Sequence, residues 1–202
     1  MMYYLCAIVA FSIVVSKQLP AIYMSVKLNV ISDSKRLEDE NRAVGKSFIS
    51  AIFCLLPSIL IFYLSNNICL SGLIFLLGCI AYTDLMARWI PDCLIYSCLL
   101  VSLFSLPEHR EGEAILSIIL FLLPAGVLQI ALFIKQGVGC IASGDFYIFP
   151  AIAVWLAPES SAPVMLTALG LALVLSRIVK EVPFITCLFS VFVGYQICVL
   201  SF

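Results

Sequence analysis

The sequence predicts an all-α, polytopic membrane helix bundle. Of its 202 residues, 63% are hydrophobic and only 11% are charged, whereas a soluble domain usually carries about 25% charged residues. Apolar runs extend along the whole chain, and they are continuous rather than alternating, which excludes a transmembrane β-barrel. Because backbone polar groups must be paired within the bilayer, each run is expected to be a helix.

Hydropathy divides the chain into about eight spans. A helix needs about 20 residues to cross the hydrocarbon core, so the third, fourth and sixth runs are short unless neighbouring polar residues extend them. The longest polar stretch covers only residues 27–47, a short loop, so residues 1–202 are expected to form one membrane domain. The predicted spans are residues 3–24, 47–64, 68–84, 93–106, 114–134, 145–157, 163–179 and 182–201.

The basic residues indicate that the N-terminus lies outside the cell. With that orientation, ten of the eleven lysines and arginines fall in cytoplasmic connections, and only Arg110 falls outside. This division follows the positive-inside rule. The first apolar run lacks the basic segment and the small-residue cleavage site of a signal peptide, so it is predicted to remain as a span.

Composition also excludes several classes of function. The net charge is −1 and no basic cluster is dense, so a nucleic-acid partner is not expected. The nine cysteines contain no C-x-x-C pair, and the single histidine, His109, cannot supply a cluster. Neither a structural zinc site nor a disulfide framework is expected.

Proline and aspartate mark the connection between the third and fourth spans. Pro91 disfavours a helical conformation for Ile90, which predicts that the third helix ends near Trp89. Asp84 then lies five residues before that end. Asp92 is well placed to cap the fourth helix, and that interpretation is preferred to a chemical role.

A second aspartate, Asp145, lies at the start of the sixth span. Gly137, Gly139 and Gly144 precede it and are expected to loosen its approach and to permit a close backbone contact. In the predicted topology Asp84 ends an inward span and Asp145 begins an outward one, so both reach the cytoplasmic side. Carboxylates near hydrocarbon are costly, which indicates chemistry or ion transport.

Two short motifs surround these aspartates. The chain contains a D-x5-I-P-D segment and, about fifty residues later, an A-S-G-D segment. Their order, spacing and helix context resemble the type IV prepilin peptidases and the related preflagellin peptidases, which are intramembrane aspartyl proteases of the GxGD class. The resemblance covers residues 72–180. The motif residues are Asp84, Ile90, Pro91 and Asp92 in the first segment and Gly144 and Asp145 in the second.

The resemblance implies that Asp84 and Asp145 are a catalytic pair. In such a pair one carboxylate activates water while its protonated partner polarises the scissile carbonyl, so the two share one proton. Family substrates are prepilins or pseudopilins, in which a basic leader precedes a glycine and a hydrophobic helix. The implied partners are therefore such a precursor and the lipid bilayer, and no cofactor is needed. The implied location is the bacterial inner membrane, with the active site facing the cytoplasm.

Three departures from the family pattern define what kind of member is expected. The first glycine of GxGD is Ala142, and Tyr147 stands where the family usually has lysine. The loop at residues 27–47 is short and has no cysteine, whereas full-length bacterial members carry two C-x-x-C pairs there. These features predict a short, peptidase-only member without N-methyltransferase activity.

Other interpretations remain open from the sequence. Asp84 can be an interfacial residue that ends a helix, and Asp145 can be an N-cap. The chain can instead be a proton-coupled small transporter, although it shows no repeat, or a catalytically inactive membrane assembly subunit. The acidic residues 38–40, or Asp92, are candidates for attracting a basic leader.

Overall fold

The structure, a computed structural model, describes residues 2–33, 46–104, 111–136, 141–179 and 182–201. These residues are predominantly helical and include no strand, which confirms the predicted all-α fold. The helices are α1 (Met2–Asp33), α2 (Phe48–Ser65), α3 (Ile68–Ala87), α4 (Asp92–Phe104), α5 (Glu111–Gln136), α6 (Ser143–Phe146), α7 (Phe149–Ala153), α8 (Pro158–Leu175) and α9 (Phe184–Ser201).

Six of the described helices contain a segment long and apolar enough to cross a membrane, which confirms a polytopic helix bundle. A further apolar helix, α4, has 13 residues and is shorter than these spans. The six segments are Ile8–Ser25, Phe48–Ser65, Ile68–Ala87, Gly112–Lys135, Pro158–Leu175 and Phe184–Ser201.

The predicted sixth span is broken. Residues 145–157 were expected to form one helix, but the chain forms two short helices, α6 and α7, separated by a turn at Tyr147 and Ile148. Pro150 lies in the first turn of α7. Within a continuous helix its ring would clash with the carbonyl of Phe146, four residues earlier. The helix therefore stops before this proline, and the prediction of one continuous helix is wrong.

Helix α3 lies at the centre of the bundle. It packs against α1, α2, α4 and α9, and apolar side chains on all sides of this helix explain its central position. Its contact with α2 is close, because a Cβ atom built on Gly78 would overlap the carbonyl oxygen of Cys54. The Ser71 hydroxyl also donates a hydrogen bond to the Ser58 carbonyl, at 2.8 Å. Small residues permit such close helix contacts in membranes.

Polar side chains from three helices pair with backbone carbonyls of α7 and of the turn between α7 and α8. A carbonyl without a partner is costly in hydrocarbon, because no water is available to replace the lost helical bond. These hydrogen bonds therefore make the interrupted segment compatible with a membrane. They run from Ser102 Oγ to the Ala151 carbonyl at 2.7 Å, from Ser117 Oγ to the Leu156 carbonyl at 2.9 Å, and from Gln196 Nε2 to the Trp155 carbonyl at 3.2 Å.

Two helix boundaries differ from the prediction. Helix α1 continues to Asp33, so residues 27–33 are helical, although they were assigned to the loop. Helix α3 ends at Ala87 rather than near Trp89. Arg88 adopts a left-handed conformation with φ 54°, and its N–H bonds to the Asp84 carbonyl at 3.2 Å, which ends the helix. The rest of the loop, including the acidic residues 38–40, lies outside the described residues, as do Gly137 and Gly139.

Candidate active site

Asp84 lies in the last turn of α3, with its side chain directed at another helix. The residue is only 8% exposed. Its Oδ2 atom accepts a hydrogen bond from the Thr186 N–H at 3.2 Å and lies 3.4 Å from the Thr186 hydroxyl. Thr186 belongs to the first turn of α9, whose N–H groups have no partners within the helix. The first turn of α9 thus presents hydrogen-bond donors to the Asp84 carboxylate.

Asp145 is the third residue of α6 and is 6% exposed. Ala142 occupies the N-cap position, and no side chain makes a capping hydrogen bond there. The Asp145 N–H donates to the Ala142 carbonyl at 3.1 Å. The interpretation of Asp145 as an N-cap is therefore wrong, and its carboxylate is not committed to starting the helix.

Gln129 of α5 holds the chain immediately before α6. Its Oε1 atom accepts the Ile141 N–H at 3.0 Å, and its Nε2 group donates to the Ile141 carbonyl at 3.3 Å. Both backbone polar groups of Ile141 are therefore paired with one amide side chain. This double contact fixes the segment four residues before Asp145.

Both carboxylates line a single cavity of about 610 Å³. They are close enough for the charge of Asp84 to act on Asp145. The cavity therefore has two buried acidic groups in a mainly apolar bundle, one from the end of α3 and one from α6. The other lining residues are Arg88, Trp89, Ile90, Asp92, Ile95, Ala142, Gly144, Tyr147, Val182 and Phe184.

The remaining motif residues gather around the same cavity. Ile90, Asp92 and Gly144 line it. Pro91 is buried in the turn between α3 and α4, and its carbonyl accepts the Leu94 N–H at 3.0 Å in the first turn of α4. The two segments that lie far apart in the sequence thus form one site, with the proline shaping the backbone rather than facing the cavity.

Asp92 does not take the predicted capping position. It is the first residue of α4 rather than the residue before it, and it is exposed. A negative charge in the first turn is favourable beside the positive end of the helix dipole. Asp92 nevertheless lines the cavity, so it is a third carboxylate near the site.

The glycine and alanine of the A-S-G-D segment have ordinary backbone conformations. Ala142 has φ −65° and ψ 144°, an extended conformation that alanine adopts without strain. The departure from GxGD therefore costs no backbone energy. A Cβ atom on Gly144 would meet nothing within 4 Å, so the prediction of a close backbone contact at this glycine is wrong. Gly144 instead leaves open space on the cavity wall.

Several residues of the site were not singled out from the sequence. Thr186 and Gln129 contact the two aspartate segments directly, while Ile95, Val182 and Phe184 line the cavity. Thr186 and Gln129 are isolated polar residues within apolar runs, a pattern that often marks function in membranes. Among the described residues, no group of three or more His, Cys, Asp or Glu side chains is arranged to hold a metal ion.

Comparison with known proteins places the two motifs within one family. The sequence model of the type IV leader peptidase family matches residues 70–199. The match contains the region 72–180 identified from the motifs and extends into α9, so it includes Thr186. It confirms the family resemblance predicted from the sequence. No curated protein and no solved structure gives a significant match to the chain.

Proposed function

Because the chain belongs to the type IV leader peptidase family, we propose that it is a membrane-embedded aspartyl endopeptidase with Asp84 and Asp145 as its catalytic pair. Family membership supports a peptidase, and the helix bundle supports an integral membrane protein. The more specific proposal is that the enzyme removes the leader from a prepilin-like or pseudopilin-like precursor.

One observation carries this proposal: two buried carboxylates from distant segments line the same cavity. Two such groups cannot both ionise cheaply, so they hold one proton between them. An acid and a base side by side form the arrangement that hydrolysis of a peptide bond requires. A helix-ending residue or a cap at either position would not need the other carboxylate nearby.

The proposed reaction uses water as its second reactant. The ionised carboxylate takes a proton from water as the oxygen attacks the scissile carbonyl carbon, while the protonated carboxyl gives its proton to the carbonyl oxygen. When the resulting gem-diol collapses, the C–N bond breaks. The nitrogen receives the proton taken from water, and a diol hydroxyl returns its proton to the second carboxylate. The products are a new carboxyl group and a new amine, and the pair again holds one proton.

The position of the site fits the proposed substrate. Asp84 lies within one turn of the end of a membrane-crossing helix, so the site is near one face of the bundle. We place that face toward the cytoplasm, with the N-terminus outside, because that orientation follows the positive-inside rule. A precursor would then present its basic leader in the cytoplasm and its hydrophobic helix to the bilayer.

The test is co-expression with such a precursor. Asp84→Asn and Asp145→Asn should each lower processing by about 10²- to 10⁴-fold, because each removes one partner of the acid–base pair. Processing is followed by the mobility and N-terminal sequence of the precursor. Membrane levels of each variant are measured in parallel.

Glu159→Gln provides the matched control, because it also replaces a carboxylate by an amide. Glu159 is exposed, lies in the first turn of α8 and does not line the cavity. It should leave processing unchanged. Full processing by either aspartate variant would exclude that residue as a catalyst. A wild-type protein that cleaves no precursor would instead favour the inactive assembly subunit.

A further inference from the structure

Resting on the proposed function, we propose that Thr186 is a positioning residue that holds Asp84 as the carboxylate which activates water, leaving Asp145 as the carboxyl that carries the shared proton. The two aspartates are alike in burial but differ in the groups that surround them. That difference assigns their roles.

Thr186 contacts the turn of α3 that carries Asp84 through two different groups. Its N–H donates to Asp84 Oδ2 at 3.2 Å. Its hydroxyl lies 3.0 Å from the Ala81 carbonyl and 3.4 Å from the same Oδ2 atom. The backbone of Ile185 also faces this carboxylate. Thr186 therefore fixes both the position of α9 against α3 and the rotation of the Asp84 side chain.

The same contacts favour the charged form of Asp84. Hydrogen bonds donated to a carboxylate oxygen stabilise the anion, and the first turn of a helix carries a partial positive charge. The charge of Arg88 acts in the same sense. The Thr186 N–H donates to Oδ2, whereas the single proton of the hydroxyl can go either to the Ala81 carbonyl at 3.0 Å or to Oδ2 at 3.4 Å. Asp84 also lines the cavity. A carboxylate held in this way is suited to accept a proton from water.

Among the described residues, fewer donors of this kind face Asp145. The backbone N–H of Ala142 faces its carboxylate. The repulsion between the two carboxylates is mutual, so the difference between them lies in their hydrogen-bond donors. Of the two groups, Asp145 therefore holds the proton more readily. Arg88, which follows α3, and Cys187 on α9 also interact electrostatically with Asp84, and Asp92 lines the same cavity.

The first test measures cleavage of a precursor peptide by the full chain in detergent. Thr186→Val keeps the shape and the N–H but removes the hydroxyl, and should lower kcat about fivefold to tenfold with little change in KM. Thr186→Ser restores the hydroxyl and should recover most of kcat. Thr83→Val removes a buried hydroxyl from the residue next to Asp84. This hydroxyl bonds the Ile80 carbonyl of its own helix, so the substitution should change kcat by less than about twofold.

The second test needs no substrate. A hydrophobic carbodiimide reacts with protonated carboxyl groups, and the modified residue is identified by mass spectrometry. In wild-type membranes the modification should fall on Asp145 in preference to Asp84. Thr186→Val should increase modification of Asp84 severalfold, whereas Thr83→Val should not.

The outcomes separate this inference from the proposed function. Normal kcat and unchanged labelling in Thr186→Val, or preferential labelling of Asp84 in the wild type, would overturn the assignment while leaving the peptidase intact. A wild-type chain that cleaves nothing but labels at Asp145 would overturn the proposed function and support the asymmetry of the pair.

Discussion

Asp145 and its neighbours show how much of the site depends on single residues. The side chain of Asp145 faces the cavity without capping α6, and Gly144 beside it leaves space rather than permitting a close contact. That open space is suited to the backbone of an extended peptide, which must approach within bonding distance of the carboxylates. We therefore propose that Gly144 makes room for the peptide substrate, because no contact within the fold requires a glycine here.

Gly144→Ala should therefore affect cleavage more than stability. The added methyl group has no protein atom within 4 Å, but it enters the cavity beside Asp145 and should displace the peptide. We expect kcat/KM to fall about ten- to a hundredfold, while the thermal unfolding midpoint stays unchanged or rises slightly, since alanine favours helix.

Ala142→Gly is the paired variant for this prediction. It restores the glycine of the family motif two residues away, and because the backbone there needs no positive φ, kcat/KM should stay within about threefold of the wild type. A Gly144→Ala enzyme with full activity would show that the peptide does not bind beside Gly144 in the cavity.

The helix elements differ in how far local signals determine them. Apolar runs of sufficient length locate α2, α3, α5, α8 and α9. Helix ends are less predictable. Helix α3 ends where Arg88 adopts a left-handed conformation, before Pro91, from which the sequence predicted the helix end. The close contact of α3 with α2 at Gly78 is a property of the pair of helices, and either helix alone would tolerate a larger residue there.

Gly78→Ala tests that contact. A methyl group would overlap the Cys54 carbonyl oxygen, so α2 and α3 must separate or shift, and we expect a loss of about 1–3 kcal/mol in the free energy of unfolding. Because α3 carries Asp84, cleavage should fall as well. Unfolding in a mild detergent and precursor processing are the two measurements.

Gly72→Ala is a control on the same helix. A Cβ atom there meets nothing within 4 Å, so replacement of a helical glycine by alanine should be neutral or stabilising by up to about 1 kcal/mol. Equal effects of the two substitutions on unfolding would mean that α2 and α3 are not in backbone contact at Gly78.

At the scale of the whole molecule, hydrogen bonds between helices occur at both ends of the bundle. At the carboxylate end, α9 holds Asp84 through Thr186 and α5 holds the α6 segment through Gln129. At the other end, Gln196 and two serines pair with carbonyls of the broken segment. In the proposed mechanism the first group positions the two aspartates, whereas the second allows an irregular backbone to lie within a membrane.

Two glutamines allow these roles to be compared by the same substitution. Gln129→Leu and Gln196→Leu each remove an amide that bonds a backbone carbonyl, and each should lower the free energy of unfolding by about 0.5–1.5 kcal/mol. Only Gln129→Leu should also lower kcat, about tenfold or more, because it releases the chain that positions Asp145.

The test is to measure cleavage kinetics and unfolding of both leucine variants under the same detergent conditions. A normal kcat for Gln129→Leu would show that α6 keeps its place without this contact. A comparable loss of kcat in Gln196→Leu would show that the two ends of the bundle are not independent.

Local signals in the sequence determined the helical fold, most of the apolar spans, the positions of the two aspartate motifs and the family. Hydropathy depends on composition along a segment, and the motifs depend on short spacings, so both can be identified without a structure. Pro150 is a local signal for the break in the sixth span, but the apolar run around it favoured the prediction of one continuous helix.

Only the tertiary structure decided which groups surround each aspartate. Thr186 meets Asp84 across 102 residues, and Gln129 meets Ile141 across a helix end. Such contacts depend on the rotation and height of one helix relative to another, and these are set by packing along the whole length of both helices. The sequence therefore located the two acids, whereas the packing of α3, α5 and α9 made their surroundings unequal.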